Sequence, residues 1–194
     1  DLVHVHEGRS VYAAYLRHML SRTPYILTRR VNNPIRDHGF AHRAYRRASF
    51  VAAVAPQVAD VVSAWDDQVR VTVVHSGSSG FVVDPVVSAE IRASFAGKFV
   101  VGHVGALDNA QKGQEHIIAA ARALRASHPD VQFVLVGGGD DEAMLRAAAQ
   151  DLPNVTFVGF VHNVADYLAA FDVFILPSNR EGIGSILFDA MDQS

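Results

Sequence analysis

The residues with the clearest chemical potential lie between positions 172 and 191, where a short apolar run leads through a glycine-containing turn into an apolar segment. Residues 173–176 predict a buried parallel strand, which ends at Pro177 because the proline nitrogen cannot donate to a sheet ladder. Such a turn exposes backbone N–H groups at a helix N-terminus, where a phosphate binds well. Glu181 and Asp189 frame the turn, and their carboxylates can accept hydrogen bonds from hydroxyl groups of the same ligand. Phosphate together with hydroxyl groups indicates a nucleotide sugar or a similar compound.

The same stretch resembles the E-x7-E signature of the family 4 glycosyltransferases, which have the GT-B fold and a consensus of roughly P-S-x-x-E-G-x-G-x-x-x-x-E-A-M. The matching residues are Pro177, Ser178, Glu181, Gly182, Gly184, Asp189, Ala190 and Met191. The resemblance implies that Glu181 contacts the donor sugar and that the second carboxylate contacts the ribose. That second position holds Asp189 instead of glutamate, which shortens the side chain by one methylene, about 1.5 Å. The backbone donors of the turn would be Gly182, Ile183, Gly184 and Ser185.

A lysine follows the first predicted strand of the second half of the chain, at the strand end where ligands bind in parallel α/β folds. Lys112 precedes Gly113, and its mobile charge can reach a diphosphate. The alternative is a solvated lysine that opens a helix, where the helix dipole disfavours it. The family has arginine in G-R-L before K-G, whereas this chain has Ala106 between Gly105 and Leu107, so one cation is missing.

Two further segments resemble donor-binding motifs of the family, and each has a plain structural alternative. Gly137 and Gly139 follow a predicted strand in the manner of the family's G-x-G, although a glycine cluster is often only a turn. Residues 157–161 resemble F-x-G-x-V, where the backbone near the last residue, here Val161, meets the base. A buried strand end would give the same pattern.

Histidines and arginines in the first half of the chain provide a second group of candidates. His4 and His6 lie two apart on a predicted strand and therefore on one face. The resemblance to a family strand that ends in histidine favours His6 as a residue near the donor sugar and leaves His4 as a core residue. A zinc site needs further ligands, and neither this pair nor His38 with His42 forms a metal motif.

Two basic segments of the first half could contact an anionic acceptor. They are Thr28-Arg29-Arg30 and the group of Arg43, Arg46 and Arg47. A solvated basic surface explains both segments equally well.

The elements that must position these residues alternate between strand and helix, which predicts parallel βαβ units. Strands are predicted at residues 2–6, 25–28, 50–54, 71–75, 99–104, 131–136, 155–157 and 173–176. Helices are predicted at residues 10–22, 56–65, 88–95, 114–127, 141–150, 164–170 and 186–191, with Ser10 as a cap. Residues 42–47 are predicted as a short basic helix or a turn, and residues 29–39 as a loop. We expect an α/β fold of two Rossmann-like parallel-sheet domains (GT-B), both incomplete in this chain. The serine- and glycine-rich segment 76–80 separates residues 1–80, the acceptor-side domain, from residues 81–194, the nucleotide-sugar-binding domain.

Composition limits the function. The 194 residues are 49% apolar, carry a formal charge of −3 and include no cysteine. The charge gives no reason to expect nucleic acid as a partner, and the lack of cysteine excludes disulfides and thiolate metal sites. No apolar run approaches the ~20 residues of a membrane span, and no secretion signal is recognisable, so we expect a cytoplasmic protein. The chain starts at Asp1 and is about half as long as the family's enzymes, which suggests an internal fragment.

The resemblance implies a retaining, metal-independent transfer of a sugar from a nucleotide-diphosphate sugar to a hydroxyl acceptor, with no cofactor. Glu181, Lys112 and His6 are the expected catalytic residues. The acceptor would be a glycan or a lipid-linked compound. Peripheral membrane association of the full-length protein is compatible with the family, although no strongly basic amphipathic helix supports it. The alternative is a non-catalytic module of the same fold that binds a nucleotide sugar or a partner protein, and the departures at Ala106 and Asp189 favour it.

Overall fold

A computed structural model describes residues 1–6, 9–181 and 183–193, and the chain divides into two compact units. Unit 1 comprises Asp1–Ser76 and Glu181–Ile183, and unit 2 comprises Gly77–Arg180 and Gly184–Ser194. The division falls inside the serine- and glycine-rich segment. Ile183 explains why a short piece of the signature stretch belongs to unit 1, because its side chain packs against a buried cluster of that unit. This cluster contains Ala53, Val54, Ala55 and Val58.

The described residues of unit 1 form a four-stranded parallel sheet with three helices. Its strands lie in the order β1-β2-β3-β4 and are β1 Val3–Val5, β2 Tyr25–Arg29, β3 Val51–Ala53 and β4 Val71–Val73. Its helices are α1 Ser10–Ser21, α2 Gly39–Arg47 and α3 Pro56–Trp65. The central residues Leu27 and Val51 are paired in register and almost fully buried, so the sheet has its core on these strands.

Unit 2 is a second four-stranded parallel sheet, with the order β7-β6-β5-β8. Its strands are β5 Phe99–Val104, β6 Val131–Val136, β7 Val155–Gly159 and β8 Val173–Phe174. Its helices are α4 Pro85–Ser94, α5 Asn109–Lys112, α6 Gln114–Leu124, α7 Glu142–Ala148, α8 Val164–Ala170 and α9 Ile186–Asp192. Strand order places the carboxyl ends of β5, β6 and β8 at one edge, where the candidate ligand residues follow them.

Four local expectations are wrong. The signature strand is not buried: Val173 is 41% exposed, because among the described strands β8 pairs with β5 alone and so forms a sheet edge. Ser10 is the first helical residue of α1, and Arg9 occupies the cap position. Helices α2 and α4 both begin three residues earlier than predicted. The His38 ring caps α2, and Asp84 caps α4 by accepting from the Val86 N–H at 2.9 Å.

Candidate functional site

The loops after β5 and β6 are packed backbone against backbone, and glycine is what permits the approach. The Gly105 N–H donates to the Val136 carbonyl at 3.0 Å. Gly137 has a φ of +136°, and a Cβ built on it would lie 2.0 Å from the Gly105 carbonyl oxygen. An alanine at this position would therefore be both strained and in collision with the neighbouring loop.

The next glycines along the β6 loop extend the same contact. The Leu107 N–H donates to the Gly138 carbonyl at 3.1 Å, and the Asp141 N–H donates to the Leu107 carbonyl at 3.1 Å. A Cβ on Gly139 would lie 2.5 Å from the Leu107 oxygen, whereas one on Gly138 would meet its nearest atom at 3.7 Å. The G-x-G pattern thus has a packing cause: its outer glycines touch the neighbouring loop and its middle residue does not.

Lys112 ends helix α5 instead of opening a helix, which corrects the sequence interpretation. The Asp108 carboxylate caps α5 by accepting from the Gln111 N–H at 3.1 Å. Gly113 then takes a left-handed conformation, with a φ of +66°, and its N–H donates to the Asn109 carbonyl at 2.9 Å. A cation in the last turn of α5 is favoured by the dipole of that helix, whereas the N-terminus of α6, whose N-cap is Gly113, lies directly after Lys112 and opposes it.

The turn at Lys112 is packed against the beginning of the signature bend. A Cβ on Gly113 would lie 2.4 Å from the Pro177 carbonyl oxygen, and the Asn179 N–H donates to the Gln111 carbonyl at 2.9 Å. The Lys112 side chain lies beside Gly105: the Lys112 Cδ is 4.0 Å from a Cβ built on Gly105. Unit 2 therefore brings Gly105, Lys112 and Pro177 together, and the role of the bend and the lysine in binding a diphosphate stays a prediction.

A buried polar pair beneath this edge was missed by the sequence analysis. His103 and Gln114 are both fully buried. The His103 Nδ1–H donates to the Ile175 carbonyl at 3.1 Å, which leaves Nε2 as the acceptor facing the Gln114 amide at 3.4 Å. The same amide donates to the Ala106 carbonyl at 2.8 Å. The signal was a histidine inside the otherwise apolar run of β5, and the pair fixes the loops on either side.

Asp189 is buried in α9, where its carboxylate is held by the first residues of unit 2. Oδ1 accepts from the Ser79 N–H at 2.6 Å and from the Ser78 hydroxyl at 3.2 Å. Oδ2 accepts from the Ser79 hydroxyl at 3.2 Å. The predicted contact with ribose hydroxyls thus involves a carboxylate that already accepts three hydrogen bonds, and the ribose role remains a prediction.

The remaining predicted donor residues lie in both units. Glu181 and Ile183 are half-buried and belong to unit 1, whereas Gly184 and Ser185 belong to unit 2 and directly precede α9. Gly184 is buried with a φ of +55°, a conformation that favours glycine. Gly182 lies outside the described residues.

Val161 and its neighbours follow β7 at the same edge of the unit 2 sheet. Val161 is half-buried and packs in a core cluster with Val158 and Val164, so the packing alternative applies to its side chain. Its neighbour Phe160 is 74% exposed, and the Phe160 Cβ lies 3.9 Å from a Cβ built on Gly138. The predicted contact between this backbone and the base is unaffected by the side-chain packing.

The histidines of unit 1 share one face of β1, and one expectation about them is wrong. The rings of His4 and His6 are 3.9 Å apart, and Val5 between them is buried. His4 is exposed rather than a core residue, and its Nε2 is 2.7 Å from the Thr28 hydroxyl. Loss of solvent on one side, and then the charges of His6 and Arg30, lower the pKa of His4. His6 lines a cavity of about 250 Å³ that also includes Thr28.

His38 and His42, the second histidine pair, have different partners and do not form a common site. His38 caps α2, its Nδ1 accepting from the Ala41 N–H at 3.1 Å. His42 lies between two carboxylates, with Nδ1 2.5 Å from Asp66 and Nε2 2.8 Å from Asp37. Within the described ranges, no three side chains of histidine, aspartate or glutamate are grouped so that they could hold a metal ion.

Two parallel α/β units define the class of fold, which is the GT-B architecture of glycosyltransferases. Crystal structures of Anabaena HepE with UDP and with UDP-glucose match 100% of this chain and 57% of HepE, with TM-scores of 0.79 and 0.77. Their sequence identities are 22% and 23%, so this likeness establishes the fold. The chain belongs to the glycosyl transferases group 1 family, whose model matches residues 98–194.

Curated relatives agree with this family assignment. An alpha-maltose-1-phosphate synthase of Mycolicibacterium smegmatis is 29% identical in an alignment 224 positions long, which covers 98% of this chain and 57% of the relative. A phosphatidyl-myo-inositol mannosyltransferase of Propionibacterium freudenreichii is 28% identical in an alignment 200 positions long, which covers 98% of this chain and 50% of the relative. The chain thus spans about half the length of the relatives it matches. None of the helices in the described part of the chain is both long and apolar enough for a membrane span.

Proposed function

We propose that the chain is part of a glycosyltransferase that moves a sugar from a nucleotide-diphosphate sugar to a hydroxyl acceptor, with retention of configuration and without a metal ion. The observation that carries this proposal is the packing of the strand-end loops of unit 2, where Gly137 and Gly139 touch the β5 loop and the Lys112 turn touches Pro177. Family membership supports the reaction class, and the UDP and UDP-glucose bound to HepE support a nucleotide sugar as donor.

The leaving diphosphate is the group that this edge of unit 2 would stabilise. Lys112 supplies a cation, and the backbone N–H groups before α9 supply dipoles that need no reorganisation during the reaction. Each such contribution is worth a few kcal/mol in the transition state, or about a 100-fold change in rate. Because Ala106 occupies the position of the family's arginine, the backbone donors would contribute a larger part of the stabilisation of the leaving diphosphate.

The transfer itself breaks the bond between the anomeric carbon and the diphosphate oxygen and forms a new bond from the acceptor oxygen on the same face. The acceptor proton passes to the leaving phosphate oxygen. Glu181 would hold sugar hydroxyls and fix the anomeric carbon against the acceptor, and His6 would lie near the donor sugar. We assign no covalent nucleophile, because no carboxylate in the sequence is placed for that role.

The acceptor and the cellular setting are the broadest parts of this proposal. The names of the two curated relatives include maltose-1-phosphate and phosphatidyl-myo-inositol, so a glycan or a lipid-linked compound is a suitable acceptor class. A cytoplasmic location with peripheral membrane association fits a lipid-linked acceptor.

The test is consumption of UDP-, GDP- and ADP-sugars by the full-length protein, followed by chromatography. We expect Glu181→Gln and Lys112→Ala each to lower turnover by about 100-fold. The matched controls Glu115→Gln and Lys98→Ala remove the same charges from exposed positions in unit 2 and should stay within about twofold. Anomeric ¹H NMR of the product and turnover in excess EDTA test retention and metal independence. Equal donor consumption by the wild type and Glu181→Gln would rule out the catalytic assignment.

A non-catalytic module that binds a nucleotide sugar or a partner is the second candidate. It is favoured by the engagement of the Asp189 carboxylate with Ser78 and Ser79 and by the missing cation at Ala106. Saturation-transfer NMR separates the two functions. Donor binding that persists without consumption in the presence of acceptor candidates would identify the binding module.

A further inference from the structure

A buried arginine at the carboxyl end of β2 is incompletely paired. Arg29 is only 8% exposed. Its Nη1 donates to the Tyr45 hydroxyl at 3.5 Å, and its Nη2 donates to the Asn33 carbonyl. Its Nε is buried and has no hydrogen-bond partner among the described residues. The guanidinium group has five N–H donors, so most of its hydrogen-bonding capacity is unused.

The described residues also leave the charge of Arg29 uncompensated. Across residues 1–6, 9–181 and 183–193, no carboxylate lies within ion-pair distance of it. The carboxylates of the neighbouring α2 region are engaged elsewhere, because Asp66 binds Arg46 and His42, and Asp37 binds His42. A buried cation with neither a counter-charge nor a full set of acceptors is unfavourable unless a ligand supplies both.

Arg29 lines a cavity in unit 1 that is suited to such a ligand. The cavity has a volume of about 390 Å³, and its wall includes Arg29, Arg9, Arg36, Tyr12 and Tyr45. None of the described residues that line it is acidic. Arg9 and Arg36 are exposed at its rim, and Tyr45 is buried beside Arg29. Because Tyr45 accepts from Arg29, its own hydroxyl proton is available for another acceptor.

We infer that this cavity binds the phosphate monoester group of a small ligand. Three guanidinium groups around one cavity match a dianion better than a single carboxylate, and the planar fork of arginine pairs with two phosphate oxygens at once. The cavity is larger than a phosphate ion, so it also has room for the sugar or polyol that carries the phosphate.

The position of the site gives the ligand a role that rests on the proposed function. Arg29 and Tyr45 also line the cavity of about 250 Å³ that contains His6. A phosphate held by Arg29 would leave the rest of the ligand beside His6, which the proposed function assigns to the sugar-transfer site. The ligand is therefore the acceptor, and its phosphate group positions the hydroxyl that attacks. This favours a phosphorylated sugar or polyol over the lipid-linked acceptors of the proposed function.

Calorimetric titration of the protein with inorganic phosphate, glucose 1-phosphate and glucose tests the inference without any donor. We expect the two phosphates to bind, glucose 1-phosphate more tightly, and glucose alone not to bind. Arg29→Met should weaken phosphate binding at least tenfold. The matched control Arg70→Met removes the same charge from an exposed position of unit 1 and should change binding less than twofold. Absence of phosphate binding, or equal losses in the two variants, overturns the inference.

A second variant and a second ligand make the test specific for a phosphate monoester site. If Arg29→Met fails to fold, as judged by circular dichroism, Arg36→Gln at the exposed rim replaces it, with an expected three- to tenfold loss. Glycerophosphoinositol, a phosphodiester, should bind less tightly than glucose 1-phosphate, and the opposite order contradicts a monoester site. The titration contains no donor, so it is independent of the sugar-transfer assay. Phosphate binding without sugar transfer would support this site and contradict the proposed function. Sugar transfer without phosphate binding would support the proposed function and contradict this site.

Discussion

The Asp189 carboxylate links helix α9 to the first residues of unit 2. It is 4% exposed and accepts from the backbone of Ser79 and from the hydroxyls of Ser78 and Ser79. The backbone bond, at 2.6 Å, is the shortest of the three and is charge-assisted. Aspartate at this position thus has a structural task in this chain, whether or not it also contacts a ribose.

We expect Asp189→Asn to lower the free energy of unfolding by about 1–3 kcal/mol, because one oxygen becomes an amide that cannot accept from Ser79. Ser78→Ala removes the bond to Asp189 and the bond that the Ser78 hydroxyl accepts from the Gly80 N–H at 3.0 Å, and it should cost about 0.5–1.5 kcal/mol. Urea denaturation measures both. Asp192→Asn, an exposed change on the same helix, is the control and should stay within about 0.5 kcal/mol. If Asp189→Asn were as stable as its control, the three hydrogen bonds would have no energetic weight.

At the scale of elements, the β5 and β6 loops are held together by positions that cannot carry a Cβ. Gly137 and Gly139 meet backbone atoms of the neighbouring loop, whereas Gly138 has ordinary packing distances around it. Backbone atoms cannot change rotamer as a flexible side chain can. A larger residue at Gly137 or Gly139 must therefore move the two loops apart.

Gly139→Ala should therefore destabilise unit 2 by about 1–3 kcal/mol and weaken nucleotide binding, since the loops that carry Gly105 and Lys112 would move. Gly138→Ala is the matched control one residue away, and we expect a change within about 0.5 kcal/mol. Thermal unfolding gives the stability, and calorimetry with UDP gives the affinity. Similar behaviour of the two variants would mean that the glycines serve only as a flexible turn.

Elements that depend on local pattern were predictable, and those that depend on partners were not. Strands β5 and β6 and helix α3 have the predicted bounds, because apolar runs and proline signals determine them locally. The exposure of β8 depends on how many strands pair with it, which no local pattern reports. Helix α5 escaped prediction because four residues carry too little periodicity, although its cap Asp108 and its terminal Gly113 are visible in the sequence.

In the candidate site, too, residues marked by a local motif could be proposed from the sequence, and contacts between distant residues could not. The glycines and Lys112 were proposed from motif spacing, and the structure adds the backbone contacts of the glycines that explain the spacing. The His103–Gln114 pair and the Asp189–Ser79 bond join residues whose partners are far apart or unmarked in sequence. The burial of Arg29, predicted only as part of a basic group, depends on the loop of Asn33 folding over it.

At the scale of the whole molecule, the pH response is concentrated in unit 1. Burial alone raises the pKa of Asp66, but hydrogen bonds from Arg46, His42 and the Gln68 N–H outweigh it and lower the value to about 2. Hydrogen bonds to Asp66 and then Asp37 raise the pKa of His42 above 6.5. Carboxylates accept at both of its ring nitrogens, so the bound form is the imidazolium, which stacks on Trp65 at 4.2 Å.

These two shifts give opposite pH dependences. The folded pKa of His42 exceeds its unfolded value, so its contribution to stability is complete below about pH 6.5 and is lost as the pH rises through the folded pKa. The folded pKa of Asp66 lies below its usual 3.8, so its contribution is complete above that pH and is lost as the pH falls toward about 2. Unit 1 should be most stable between about pH 4 and pH 6.5.

Trp65 is the one tryptophan of the chain, so its fluorescence reports unfolding of unit 1 while circular dichroism reports both units. We expect the urea midpoint of the fluorescence transition to be highest near pH 5–6 and to fall by pH 9, ahead of the dichroism transition. His42→Gln should abolish the alkaline fall, because no group in the network then loses a proton in that range. His128→Gln, an exposed histidine of unit 2, should retain it. A wild-type fluorescence midpoint that is the same at pH 6 and pH 9 would show that the imidazolium between Asp37 and Asp66 does not stabilise the unit.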